Sequence, residues 1–440
     1  MKIYIGHRTG AVFVVLLFAI AFGQQAQNYT QSGTVMTLAE AESLLLERNN
    51  DIKVARAQYE QAAANYLSAW SPFLPTAGFS ANWRRYDHQM ISIRNDQFIY
   101  SRNSYSLGLS ADFPLFSGGR DLIALKEAKL SADISRLAYE DTRRRMHYQL
   151  VQAYFNFVRA AMQLEIARQS LARIQDEQKI VQKKYSLGSA SEMDLSRIRV
   201  QVAQKQFALV QAENNFDRAR ENLCAMLSLP LDTLIYPDTT YLPKSAGEIP
   251  PVEHFLDRYK RNNSWRQASL DLKIKKLDRL SSFLAYLPRV SLSGSWGWSG
   301  GETPQSLSEI RDDGSASFGL SLSWTLFSGT SRIGSIRRSA ASLEAAKSSL
   351  NKSTISVQRD IREAYRMMVE AVESYNLATV QIEDARLNLE TVQKRYELGG
   401  ATLLELLDGE LALEQAQLQR INAIADYYTY RAQLEWLAGE

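Results

Sequence analysis

The sequence predicts an α+β protein made by internal duplication: two long antiparallel helical hairpins, each preceded by a β-hairpin with one apolar face. Three observations carry this reading. Apolar residues recur at a seven-residue period over several long stretches, the mark of helices packed along a seam. Four shorter stretches switch to strict alternation, the mark of strands. The whole pattern then occurs a second time, about 211 positions later.

The duplication is clearest at two turns. The first runs from Tyr185 through Leu187 and Gly188 to Ser191, Asp194 and Leu195. The second runs from Tyr396 through Leu398 and Gly399 to Thr402, Glu405 and Leu406. In each, a long helix arrives, a glycine past its end takes a left-handed conformation, and a Ser or Thr caps the next helix. Ser191 with Asp194 and Thr402 with Glu405 have capping-box spacing, the Asp being an imperfect substitute for Glu or Gln. Leu115-Phe-Ser-Gly118 repeats as Leu326-Phe-Ser-Gly329 at the same offset. Upstream the offset grows by two residues, matching Leu74-Pro75 to Leu287-Pro288 and Asn49-Asn50 to Asn262-Asn263.

Four segments follow from this: a signal peptide over 1–23, a first repeat over 24–229, a proline-spaced linker over 230–251 and a second repeat over 252–440. Lys2 and Arg8 precede the apolar run Ala11 to Phe22, and polar sequence follows Gly23, which is the pattern of an export signal. The run is short for a membrane span of ~20 residues, and no cysteine follows it, which argues against an N-terminal lipoprotein. No later apolar run is long enough for a transmembrane helix, so the exported chain enters a membrane only as strands. The formal charge of +3 and the absence of a basic block leave nucleic acid without a partner surface. The single cysteine, Cys224, and four scattered histidines offer neither a disulfide framework nor a metal site. No phosphate loop and no nucleophile–base pattern points to an enzyme or to a cofactor.

In chain order, Leu38, Leu45, Ile52, Tyr59 and Tyr66 place a helix from about Thr37 to Ala69, ended by Pro72 and Pro75. Ala77 to Trp83 and Tyr105 to Phe113 then alternate with Gly, Ser and other polar residues around a polar loop at 86–103. Val290 to Trp298 and Phe318 to Leu326 do the same in the second repeat, around a loop at 300–315. The heptads return with Leu150, Phe157, Leu164 and Leu171 beside Ala153, Ala160, Ala167, Ile174 and Val181, and again from Ile361 to Tyr396. From Gly119 to Leu187 an unbroken helix would reach roughly 100 Å. Leu195 to Leu223 continue the seam to about Ser228, a short strand is expected at Thr233 to Tyr236, and the last helix ends near Leu437.

The alternating strands fit a half-buried soluble sheet or a membrane barrel. Their length, the tryptophans Trp83, Trp296, Trp298 and Trp324 suited to an aromatic girdle, and a Ser/Gly face suited to a wet lumen favour the barrel. Four strands cannot close one, so several chains must share it.

At this point the chain resembles the TolC-like outer membrane efflux protein family. Pro114-Leu-Phe-Ser-Gly-Gly-Arg120, the Tyr-x-Leu-Gly turns at Tyr185 and Tyr396, Met193-Asp-Leu195, Leu404-Glu-Leu-Leu-Asp408 and the entry from Leu38 to Arg56 carry the resemblance over nearly the whole mature chain. It implies a homotrimer with a shared twelve-stranded barrel in the outer membrane of a Gram-negative bacterium and an α-helical tunnel through the periplasm. It also implies docking to a periplasmic adaptor that links the channel to an inner-membrane pump, the channel itself being a passive duct. In such a channel Glu405 and Asp408 belong to an acidic ring at the periplasmic entrance; their simpler roles are a capping-box residue and an acid favoured by the helix dipole. Asp194 and Arg197 hold the matching positions of the first repeat, Arg197 as a candidate latch. Tyr185, Leu187, Gly188, Tyr396, Leu398 and Gly399 become the adaptor-docking tip, although both tyrosines also continue the apolar seam. A duct for secreted polypeptides and a non-conducting coiled-coil spacer are the competing readings.

Overall fold

The computed structural model describes residues 34–94, 97–239, 249–304 and 306–439. The export signal and part of the proline-spaced linker, Pro243 included, lie outside the described residues.

The first repeat opens with strand β1 (Thr34–Met36) and helices α1 (Leu38–Arg48) and α2 (Asn50–Ser68). Thr37 and Glu40 form the capping box that starts α1. The heptad pattern predicts one helix here, but the chain breaks at Asn49, whose ψ of 128° leaves the helical region. Its side chain accepts from the Ile52 amide and so caps α2, while its Nδ2 donates to the Met226 carbonyl. The apolar seam continues across the break, with Leu45 and Ile52 buried on either side of it.

Strands β2 (Thr76–Arg94) and β3 (Gln97–Phe116) follow, then the helical hairpin α3 (Arg120–Ser186) and α4 (Glu192–Met226). Strand β4 (Ile235–Pro237), which starts two residues and ends one residue later than the sequence suggests, pairs in parallel with β1. The second repeat contains α5 (Val252–Leu256), α6 (Asn263–Leu284), β5 (Arg289–Gly300), α7 (Leu307–Asp312), β6 (Ser315–Ser323), α8 (Ser331–Glu397) and α9 (Leu403–Ala438). Both α3 and α8 run 67 residues without interruption, about 100 Å each.

All four long strands join one antiparallel sheet in the order β2-β3-β5-β6. The register puts like with like. Phe79 lies opposite Leu109 and Leu109 opposite Trp296, while Gly294 lies opposite Phe318. On the other face Ser110, Ser295 and Ser317 align, and the Ser295 and Ser317 hydroxyls are 2.8 Å apart. One face is thus apolar and the other Ser/Gly-rich across every strand.

Three details differ from the alternation. The expected loop at 86–103 is largely strand, with a register shift between Arg85 and Met90; the polar run Asp87-His88-Gln89 breaks the alternation at that shift, so the period-2 signal is lost although the ladder resumes at Met90. The strands are correspondingly uneven, 19, 20, 12 and 9 residues. Strand β6 stops at Ser323 and leaves Trp324 and Leu326 beyond it. Its partner β5 starts at Arg289, and Pro288 has no amide to extend the ladder. The expected loop at 300–315 holds the short helix α7.

Apolar burial collects in three places. Leu45, Leu150, Phe157 and Leu223 anchor one cluster at the base of the first hairpin. Ile361, Met368, Leu434 and Leu437 anchor its counterpart in the second. Ile174, Val181, Ile198, Leu389, Leu406 and Leu413 form the third near the helical turns, where both hairpins meet.

Candidate functional site, the helical tip

Both turns close as the sequence predicts. Gly188 has φ +75°, its amide donates to the Tyr185 carbonyl at 3.0 Å and the Ser189 amide to the Lys184 carbonyl at 2.8 Å. Gly399 has φ +80°, with the Gly400 amide donating to the Arg395 carbonyl at 2.7 Å. These are paired Schellman closures. Ser191 and Asp194 exchange hydrogen bonds of 3.1 Å in each direction, so Asp serves in the box despite its shorter side chain. In the second turn the Thr402 amide donates to the Glu405 carboxylate at 2.6 Å and the Glu405 amide to the Thr402 hydroxyl at 3.3 Å.

These bonds set the charge at the tip. Hydrogen bonds from Thr402 hold the Glu405 carboxyl below its usual range, and those from Ser191, helped by Arg197, do the same for Asp194. Glu405 and Asp408 are both exposed, three residues apart at the start of α9, where carboxylates complement the helix dipole. The capping role of Glu405 is therefore present in the structure, and its charge is available as well.

The docking candidates separate by environment. Leu187 and Leu398 project into solvent, the latter 88% exposed, and Tyr185 is partly exposed. Tyr396 is only 6% exposed and belongs to the tip core. Lys184 joins the hairpins there: its ammonium lies 3.9 Å from the centre of the Tyr396 ring and donates to the Tyr396 carbonyl at 2.6 Å. Burial and the nearby carboxylates Glu177 and Asp194 push the Tyr396 hydroxyl above its ordinary range.

Just inside the tip lies a charged layer that the heptads do not reveal. Glu177 on α3 is 5% exposed and Glu410 on α9 is 7% exposed. Lys205 on α4 reaches Glu414 on α9 at 2.5 Å, and the Ser170 hydroxyl donates to the same carboxylate at 2.7 Å. A charge between the seam positions Ile174 and Val181 reads as exposed from one helix alone. The duplication offers the one available signal, because Glu177 matches Asn388 and Glu410 matches Arg199, so neither charge is shared by the repeats.

The sheet sits at the opposite end of α3 and α8. Trp83 and Trp324 are exposed, and the Trp324 indole donates to the Tyr286 carbonyl at 2.9 Å. Trp296 lies over Gly314, and Trp298, 2% exposed, lies over Gly300, where a Cβ would come within 2.8 Å of its ring. No helix among the described residues is long and apolar enough to cross a membrane.

Comparison with known proteins agrees with this architecture. The chain is 25% identical over 395 residues to the pyoverdine export outer membrane protein OpmQ of Pseudomonas putida, covering 85% of this chain and 80% of that one. It is 22% identical over 409 residues to the outer membrane protein TolC of Escherichia coli, covering 89% and 81%. The Campylobacter jejuni CmeC outer membrane channel has the same fold, with a TM-score of 0.80, 20% identity and coverage of 91% and 85%. The model of the outer membrane efflux protein family matches residues 42–228 and 283–440. That match takes in both helical hairpins and all four strands of the sheet and leaves out residues 1–41 and 229–282, so the chain belongs to the outer membrane efflux protein family.

Proposed function

We propose that the chain is the outer-membrane exit duct of a tripartite efflux pump, a passive homotrimeric channel for small molecules gated at its helical tip. Proteins of this family are outer membrane channels and not enzymes. One observation carries the assembly. The two repeats pair in three ways, β3 on β5, α3 on α6 and α3 on α9, and each pairing is made in one direction only. The equivalent surfaces, β6 against β2, α8 against α2 and α8 against α4, have no packing of that extent within the chain. A head-to-tail ring satisfies all three at once. Three copies give six repeats and twelve strands, which removes the open edges that lipid does not tolerate. The Ser/Gly face then lines the lumen and the apolar face, with Trp83 and Trp324, meets lipid.

The helical tunnel extends into the periplasm of a Gram-negative cell after signal-directed export. Glu405 and Asp408 from each copy form an acidic ring at its entrance, with Asp194 and Arg197 beside it. The tip turns dock a periplasmic adaptor through Leu187 and Leu398, shaped by Gly188 and Gly399 and flanked by Tyr185 and Tyr396; an inner-membrane pump acts through that adaptor. The export role in the name of OpmQ supports a small-molecule cargo.

Single-channel recording in a planar bilayer tests this. The mature protein is expected to give small, cation-selective steps, because a ring of carboxylates favours cations. Glu405→Ala with Asp408→Ala is expected to widen the entrance and lower the cation preference several-fold. Unchanged selectivity in the double variant removes the gate assignment, and folded, inserted protein without conductance favours the spacer.

A further inference from the structure

The charged layer between the hairpins contains a group that hydrogen bonding leaves unsatisfied. The Glu177 Oε2 is buried without a partner, and so is the Arg173 Nε one turn earlier. Three helices, α3, α8 and α9, bring charge toward Glu177. Asp176 and Lys184 lie on its own helix, Glu397 on α8, and Glu410 on α9. Glu410 in turn faces Arg173, Lys205 and Glu414. The nearer charges are mainly acidic, and the one lysine held closest to Glu414 is already committed to it. Among the described residues no group of three or more His, Cys, Asp or Glu is arranged to hold a metal ion. What this site lacks is therefore a proton.

We propose that Glu177 is a proton-controlled latch between the two hairpins: protonated, it lets α3 and α9 stay packed at the tip, and ionised, it favours their separation. The inference rests on the channel reading for its consequence, opening of the entrance, but not for the latch itself. Burial first, then Glu410 and Glu397, push the Glu177 carboxyl from the ordinary carboxylate range to about 7. Burial likewise pushes Glu410 up. When the hairpins part, water reaches Glu177 and its affinity for the proton returns to normal. The sign follows. An acid that binds its proton more tightly in the packed state favours packing most at low pH. That advantage falls as the pH rises from the ordinary carboxyl range toward 7 and is gone above it, by up to about tenfold per pH unit in each chain. Glu405 and Asp194 behave oppositely, since their caps keep them ionised in this range, so the entrance stays acidic while the latch titrates.

Hydrogen exchange on the full-length protein in lipid bilayers, corrected for intrinsic rates, tests this at about pH 5 and about pH 8. The wild type is expected to lose protection over 170–181 and 403–416 at the higher pH. Glu177→Gln, neutral at every pH, is expected to keep the same protection at both. Glu410→Gln removes the largest like-charge repulsion on Glu177 and is expected to move the midpoint downward. A wild type with no step, or a Glu177→Gln variant with the wild-type step, overturns the latch. If Glu177→Gln does not fold, an unmoved midpoint in Glu410→Gln overturns it instead. Conductance recorded on the same samples separates the two readings. An exchange step without conductance keeps the latch and removes the channel, and conductance without the step does the reverse.

Discussion

Asn49 and Asn262 occupy equivalent places and use every polar atom of their side chains. Asn262, 3% exposed, accepts from the Ser264 and Trp265 amides at 2.9 and 3.2 Å and donates to the Leu437 carbonyl at 3.0 Å. Asn49 accepts from Ile52 and donates to Met226 at 2.9 Å. Each therefore starts one helix and satisfies the carboxyl end of the last helix of its own repeat. Removing the amide strands a buried carbonyl and uncaps α6 together. Asn262→Ala is expected to destabilise that junction by about 2–3 kcal/mol. Asn262→Asp keeps the acceptor but turns a carboxylate toward the Leu437 carbonyl, so it should cost at least as much at neutral pH and less in acid, where the carboxyl proton restores a donor. Local exchange free energies for the first turn of α6 and the last turn of α9 give both values, and an Asp variant as stable as wild type at neutral pH would refute the donor role. The paired asparagines were visible in the sequence as a repeat, but their function was not. Their partners lie 177 and 175 residues away, and a cap that is also a tertiary bond has no local signature. Glu177 was hidden for a related reason: its neighbour across the interface belongs to the other repeat. The tip glycines and capping boxes were fully legible because every atom they use lies within a few residues.

At the scale of elements, periodicity located the helices and the sheet faces because packing acts on every residue along them. It failed at the register shift of the β2–β3 hairpin. There Asp87, His88 and Gln89 interrupt the alternation, so only the backbone ladder, which resumes at Met90, marks the outer half as strand. The exposed apolar face gives the sheet a testable property. Leu320 is 69% exposed in the single chain and shares its face with Leu292 and Phe318. For a soluble sheet, Leu320→Arg would be neutral or favourable. Against lipid it is expected to cost about 2–4 kcal/mol, whereas Ser321→Arg, one residue on and on the opposite face, should cost under about 1 kcal/mol. Denaturant unfolding of protein reconstituted in bilayers measures the difference, and equal costs would mean that the apolar face does not meet lipid.

For the whole molecule, the duplication turns the contacts within the chain into a prescription for contacts between chains. Gly118, φ +72°, backs onto Leu284 and Leu287 at the end of α6, with no room for a side chain. Gly329, its equivalent at φ +62°, has nothing within 4 Å, and at the matching end of α2 Leu74 is 61% exposed against 45% for its equivalent Leu287. The same asymmetry holds at the tip. Lys184 of the first hairpin covers Tyr396 of the second. Their equivalents are Arg395 and Tyr185, and these do not meet within the chain: Arg395 donates to the Gly400 carbonyl and Tyr185 is 43% exposed. In a head-to-tail ring, Arg395 of one copy comes to Tyr185 of the next, where a planar guanidinium can stack on the phenol. The sequence shows the equivalence of these four residues, but which pair closes inside the chain depends on how the hairpins pack, which no single-helix pattern encodes. The prediction is a contrast between two cysteine pairs in a Cys224→Ser background, treated with a short bifunctional maleimide. Lys184→Cys with Tyr396→Cys is expected to link within one chain and run as a monomer. Tyr185→Cys with Arg395→Cys is expected to link neighbouring copies into a ladder that ends at three. A ladder that continues past three would replace the closed ring with an open assembly, and an intramolecular link from the second pair would show that the repeats are not related in this way.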